Sequence, residues 1–270
     1  MREVTIALAQ TAPVLNEVEE NLRRMASTIQ RICSEQPTNI IVFPELAVSG
    51  YECGLNFTRL ADREAGHVAS YLAGKAAEMN VHLVFGMPLK EKVESILFNA
   101  AMVIGPDGEF LGDYRKLHLK GEERLAFRPG YRLPVFETEF GLLGVMIGWD
   151  VAFPEVARSL TLDGAEVILA CAAWEASEIE QWRAYTVARA CENAAFVAAA
   201  NRVGQEPTYA FGGESVIVGP RGQVHSALDE AIEGYAVATV DLDEIRRVRE
   251  ESQLLQCRQP PAYRSLVRKY

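Results

Sequence analysis

Polar residues stand where apolar strands run out, and their types suggest chemistry. Glu45 closes the run "IIVFPE". A carboxylate at the edge of a buried strand loses water, and its pKa rises toward neutrality, as suits a general base. A solvated glutamate on a surface lip fits the same letters. Lys116 lies in "DYRKLHL", at the end of a hairpin's return strand. Leu117 and Leu119 are expected inward, with Lys116 on the face of His118. An ammonium among apolar residues could stabilise a developing oxyanion, and a snorkelling edge lysine is the plainer alternative. Glu122 and Glu123 follow in "KGEERLAFRPG", where either could cap a turn or face solvent.

The third position is blank. In "GVMIGWDVAFPE" a buried strand end, Val145–Ile147, meets a helix starting near Pro154. Such a strand-to-helix turn is where α/β enzymes often hold a nucleophile, yet Gly148 sits there. Asp150 reads as a turn residue, and Glu155 as a first-turn carboxylate facing the helix dipole. Other templates fail. No GxGxxG or GxxxxGK[ST] follows a strand and no GxSxG occurs. His67, His82, His118 and His225 have no ligand spacing, so a metal site is not expected. Cys33, Cys53, Cys171, Cys191 and Cys257 are odd in number and lack a CxxC, which suits reduced thiols.

These residues need a frame. The chain has 270 residues, 49% hydrophobic and 24% charged, with net charge −10. That balance argues against nucleic acid and against anionic membrane surfaces. The first residues alternate like a strand rather than a signal peptide, and no apolar run approaches a membrane span, so a cytoplasmic protein is expected. "NEVEENLRRMASTIQRIC" places Val18, Leu22, Met25, Ile29 and Ile32 at helical spacing, and a second helix is expected from about Asp62 to Asn80. Hairpins are expected at Gly105–Gly108, near Phe140-Gly141 and at Pro220–Gly222, and "QPPAYRSLVRKY" reads as an extended tail. Strands such as "IIVF" and "EVILA" have no polar side. Both sheet faces must therefore be covered, by helices on one side and a second sheet on the other.

Taken together, "FPELAVSGY", "YRKLHL" and "GVMIGWDVAFPE" resemble, in this order, the motifs of the nitrilase (carbon–nitrogen hydrolase) superfamily. "GPDGEFLGDYRK", "RPG", "ARACEN" and "GPRGQV" agree, and the likeness spans nearly the whole chain. The resemblance implies one domain over residues 1–270 folded as a four-layer αββα sandwich. It implies a homodimer or larger assembly, and we expect the tail 255–270 to pack on a neighbouring subunit. It also implies Glu45 as general base, and Lys116 with the Trp149 backbone N–H as oxyanion donors. A second glutamate falls on Glu123, with Glu122 as fallback. Position 148 would carry the nucleophilic cysteine, and glycine there forms no acyl-enzyme. Cys171 is nearest by topology but lies on another strand. Asp150 resembles the amidase branches, so hydrolysis of a small amide to acid plus ammonia ranks above nitrile or N-carbamoyl hydrolysis. Tyr51, Trp149 and Trp174 are candidate substrate contacts, with core packing equally apt for both tryptophans. Arg158, Arg189 and Arg202 could each meet a substrate carboxylate. Two origins fit Gly148: a nucleophile removed from an active amidase, and a natural non-catalytic relative that binds a small ligand or a protein. The retained buried charges favour the first.

Overall fold

A computed structural model describes residues 2–92, 96–229 and 231–268. The expected domain limits and the end of the tail at 269–270 lie partly outside those residues. The first half of the chain forms β1 (Glu3–Gln10), α1 (Val18–Glu35), β2 (Ile40–Val42), α2 (Phe57–Leu60), α3 (His67–Met79), β3 (His82–Lys90), β4 (Leu97–Ile104) and β5 (Phe110–Arg115). There follow α4 (Glu123–Ala126), β6 (Val135–Thr138), β7 (Gly141–Ile147), α5 (Pro154–Leu162), β8 (Val167–Ala172), α6 (Ile179–Asn193) and β9 (Phe196–Asn201). The chain continues through β10 (Val203–Gln205), β11 (Ala210–Gly212), β12 (Val216–Val218), β13 (Val224–Ala227), β14 (Gly234–Asp241) and α7 (Asp243–Ser252).

Among the described residues the strands make two six-stranded sheets, ordered β14-β1-β2-β3-β4-β5 and β13-β12-β9-β8-β7-β6, and a small β10-β11 ribbon. Alternation along each strand sends one set of side chains between the sheets. Val4, Ile6 and Leu8 of β1 meet Val145 and Ile147 of β7 and Leu169 of β8 in that inner layer. The opposite faces meet helices. Ala7 and Ala9 pack with Leu22, Met25, Ile29 and Ile32 of α1 and Leu72 of α3. Met146 and Ala170 pack with Val156 and Leu160 of α5 and Trp182 of α6. The result is an αββα sandwich. Its central strands β2, β3, β4, β8 and β9 are buried on both sides because both sides are covered.

Two elements differ from expectation. The second helix begins at His67, not near Asp62. Asp62 instead turns its carboxylate onto the backbone N–H groups of Arg63 and Val68, which holds the chain outside the helix. The tail is not extended: Pro260–Val267 winds into 3₁₀ turns.

The topology fixes where the polar residues go. β1, β2 and β3 are parallel, β4 runs against β3 and β5 against β4. The C-terminal ends of β2 and β5 therefore lie on the same edge of the first sheet, next to the start of β4. Gly86 in β3 makes room there. A Cβ on it would stand 2.4 Å from the Leu46 nitrogen and 2.6 Å from the Glu45 Cα. Backbone cannot yield as a side chain tip can, so Gly86→Ala is expected to cost about 1–3 kcal/mol. Gly74, exposed inside α3 with nothing within 4 Å of its Cβ position, should instead gain about 0.5–1 kcal/mol as alanine. Urea unfolding of the two variants checks the contrast; equal effects would contradict the close approach at Gly86.

Candidate active site

Glu45 follows β2 at the sheet edge and is 1% exposed. Its Oε1 accepts from Lys116 Nζ at 2.7 Å and from Asn99 Nδ2 at 2.7 Å. Its Oε2 accepts from the Ala173 backbone N–H at 3.1 Å, a donor at the end of β8 in the second sheet. Lys116 stands one residue past β5, where its backbone N–H still bonds to the Asn99 carbonyl at 2.9 Å. Its ammonium also donates to both oxygens of Glu123 at 2.8 Å. Glu123 opens α4 and takes further bonds from Asn99 Nδ2 at 2.9 Å and the Lys120 backbone N–H at 2.9 Å. Glu122 is exposed, so of the two neighbours only Glu123 reaches the cluster.

Two carboxyls and one ammonium share this dry space. Burial pushes the Glu45 carboxyl up to about 7; the Lys116 charge opposes the rise and Glu123 adds to it. Burial alone would lower the Lys116 pKa, but its two carboxylate neighbours hold it well above the ordinary lysine value. The strand-alternation argument for Lys116 fails because β5 ends at Arg115. Beyond that point Lys116 turns inward with its head buried, where a snorkelling lysine would reach water. His118 parts company with it. It stacks on Phe153 at 3.6 Å and places Nδ1 2.8 Å from Asp150 Oδ1.

Asp150 has no exposed surface. It accepts from the Tyr114 hydroxyl at 2.8 Å and from the His118 backbone N–H at 3.0 Å. It also accepts from the Ile147 N–H at 3.3 Å. Tyr114 and His118 lie two residues either side of Lys116, and Ile147 precedes Gly148. One buried carboxylate thus ties the lysine segment to the glycine turn, a larger part than that of a simple turn residue. Glu155 does lie exposed in the first turn of α5, as expected.

Gly148 has φ +46°, in the left-handed region. A Cβ there would stand 2.2 Å from Glu45 Oε2 and 3.1 Å from Lys116 Nζ. The Glu45 carboxyl therefore occupies the space that a side chain at 148 would need. The cavity beside it is only about 20 Å³, lined by Glu45, Tyr51, Lys116, Trp149, Trp174 and Glu178 among others. That is room for about one water. Tyr51, Trp149 and Trp174 all line it. Trp174 is at once core, packed on Trp182 and bonded through Nε1 to the Glu178 carbonyl at 2.9 Å.

The arginines lie elsewhere. Arg158 bonds the Glu192 carbonyl, Arg189 bonds the Val151 carbonyl, and Arg202 pairs with buried Glu206. None lines this cavity, so none meets a carboxylate there. Cys171 points into the layer between the sheets, and burial raises its thiol far above the usual range. It does not substitute at 148.

Sequence reasoning missed Asn99, Ala173 and Glu206. Asn99 had a readable signal, one amide in the fully buried strand "LFNAAMVI". Ala173 acts through its backbone and leaves none. Glu206 binds the N–H groups of Tyr51 and Glu52, while Glu52 binds those of Thr208 and Tyr209. This reciprocal clamp joins the loop after β2 to the turn between β10 and β11.

The raised Glu45 pKa sets a sign for stability. Between 4.5 and about 7 the folded chain keeps a proton that the unfolded chain has lost. Stability from this group is therefore full below that window and falls as pH rises through it. Glu45→Gln mimics the protonated form. From pH 5 to 7.5 the parent should lose at least about 1 kcal/mol more than the variant in urea unfolding; parallel pH slopes would show that Glu45 stays ionised.

Comparison with known proteins gives a consistent picture. Residues 5–250 match the carbon–nitrogen hydrolase family profile. A probable nitrilase of Schizosaccharomyces pombe is 42% identical, covering 98% of this chain and 99% of its own. A 2-oxoglutaramate amidase of Bacillus subtilis is 32% identical, over 91% and 94%. A mutant of the amidase from Nesterenkonia sp. AN1 superposes with TM-score 0.86 at 28% identity, over 97% and 96%. That amidase shows covalent addition of the acetamide moiety of fluoroacetamide at its active-site cysteine.

Proposed function

This chain belongs to the carbon–nitrogen hydrolase family, and we propose that its Glu45, Lys116 and Glu123 are the centre of an amidase for small carboxamides, with position 148 the place of the nucleophile. The observation that carries this is convergence. An acid–base group and an ammonium both lie within about 3 Å of the Cβ position at 148, and burial makes one a base near neutrality. Covalent addition at the active-site cysteine of the similar amidase supports a cysteine nucleophile in a site of this kind.

With a cysteine at 148 the steps follow. Glu45 takes the thiol proton as sulfur attacks the amide carbon. The oxygen becomes an oxyanion held by Lys116 and the Trp149 N–H. The oxyanion collapses, the C–N bond breaks, and Glu45 returns its proton to the leaving nitrogen, which departs as ammonia. Water then attacks the thioester carbon while Glu45 takes its proton. Collapse breaks the C–S bond, releases the acid and returns the proton to sulfur. Glu123 holds the lysine throughout, and no metal or organic cofactor takes part.

As the chain stands, no nucleophile is present at 148. Loss of a covalent nucleophile removes on the order of 10⁶ in rate in a serine protease, so the parent should release no measurable ammonia. A second reading has its own support. Gly148 sits in backbone that glycine favours, with Glu45 filling the vacated space, as suits a natural non-catalytic binder.

Gly148→Cys tests both. We expect ammonia release from small amides rather than nitriles or ureides, rising with pH about a midpoint near 7 as Glu45 ionises. A further Lys116→Met change should lower turnover at least about a thousandfold. The same Gly148→Cys should cost about 1–2 kcal/mol in stability, because φ +46° strains any L side chain. A folded variant silent across amides, nitriles and ureides would leave the binder reading.

A further inference from the structure

Beside the catalytic cavity lies a second and larger one, of about 220 Å³. Its walls are Tyr51, Phe57, Leu55, Leu125, Ala126 and Tyr209, with Glu52, Glu122 and Glu123 among them. The two spaces share Tyr51. Glu123, on the larger, bonds directly to Lys116, on the smaller. The walls are firm. Tyr51 and Tyr209 meet edge to face at 5.4 Å, Phe57 packs on Phe127 at 4.6 Å, and the Glu52–Glu206 clamp fixes both tyrosine loops.

Two features say what would enter. Leu55 is 92% exposed and Leu125 89%, and both stand at this cavity. Apolar side chains held in water at a concave mouth gain by covering. Charge gives the second. Glu52 and Glu122 line the larger cavity, and Glu175 and Glu178 the smaller. Among the described residues the cations lining them are Lys116 and Lys120. Lys116 is held by Glu45 and Glu123, and Lys120 by Glu178 at 2.6 Å and Glu175 at 3.4 Å. A carboxylate entering here meets carboxylates and no unpaired cation.

We propose that the larger cavity holds the acyl tail of the amide, and that the tail it selects is apolar, uncharged and about the size of one ring. A cavity of about 150 Å³ lined by apolar side chains takes up benzene in another protein, so this volume suits a phenyl group or short alkyl chain. Amides with a terminal carboxylate are rejected, unlike the substrate named for the 2-oxoglutaramate amidase relative. This selectivity rests on the amidase reading and adds the substrate class to it.

The test uses the Gly148→Cys protein and ammonia release from propionamide, 3-phenylpropionamide and succinamate. The kcat/KM for 3-phenylpropionamide should exceed that for propionamide by at least about tenfold, and succinamate should fall below propionamide by a similar factor. Leu125→Asp, at an exposed position that tolerates charge, should bring the phenyl-to-propionamide ratio within about twofold. Equal use of the first two amides, preference for succinamate, or an unchanged ratio in Leu125→Asp would overturn the assignment. If none of the three releases ammonia, the amidase reading is what fails. The cavity is then judged by calorimetry of 3-phenylpropionamide on the parent chain. Binding that weakens at least tenfold in Leu125→Asp supports the pocket, and absence of binding to the parent overturns it.

Discussion

The ammonium of Lys116, shut away from water between Glu45 and Glu123, is the interaction on which the rest of the structure turns. A buried charge without partners is worth several kcal/mol of instability. Here three hydrogens meet three carboxylate oxygens within 2.8 Å. Burial raises the Glu45 carboxyl to about 7, against the pull of the Lys116 charge and with a smaller push from Glu123, so the trio is neutral below that pH. A carboxyl that exchanges its proton near neutrality follows from this burial.

Holding three charged heads at these distances constrains the backbone around them. Glu45 and Lys116 come from two strand ends of one sheet, Asn99 from the neighbouring start of β4, and the Ala173 donor from the other sheet. The site thus forms only when the two sheets pack in register. The inner apolar layer supplies that packing, and Asp150 supplies the polar link across it, from Tyr114 and His118 to Ile147. Gly86 contributes by lacking a side chain where the Glu45 backbone crosses β3. Stability and site geometry are therefore carried by the same residues, and a change in packing here is felt as a change in chemistry.

Sequence patterns made much of this legible, for reasons that differ by element. α1 was plain because its apolar residues recur at helical spacing and all face one sheet. Strands buried on both faces read as unbroken apolar runs, which implied two covering layers. The order of Glu45, Lys116 and the blank position in three motifs gave the family, and with it Glu123 ahead of Glu122. Lys116's burial was not legible, because period-two logic stops where β5 stops and the chain turns at Lys116. The start of α3 was hidden by a side chain-to-backbone bond at Asp62, which competes with helix in a way composition does not record. Ala173 acts through its N–H, and a backbone donor has no letter.

Gly148 draws these lines together. The Lys116–Glu45–Glu123 trio is fully bonded, and removing one partner would strand a buried charge. In the proposed amidase the trio serves a reaction at the neighbouring position. At that position the turn demands φ +46°, which glycine accepts freely and a cysteine only under strain. With no side chain at 148, the Glu45 carboxyl lies where a Cβ would stand and accepts the Ala173 N–H. Glycine at 148 thus goes with a relaxed turn and a Glu45 carboxyl bonded to the other sheet. In the proposed amidase, the nucleophile that the chemistry needs at 148 is set against the local stability of this turn.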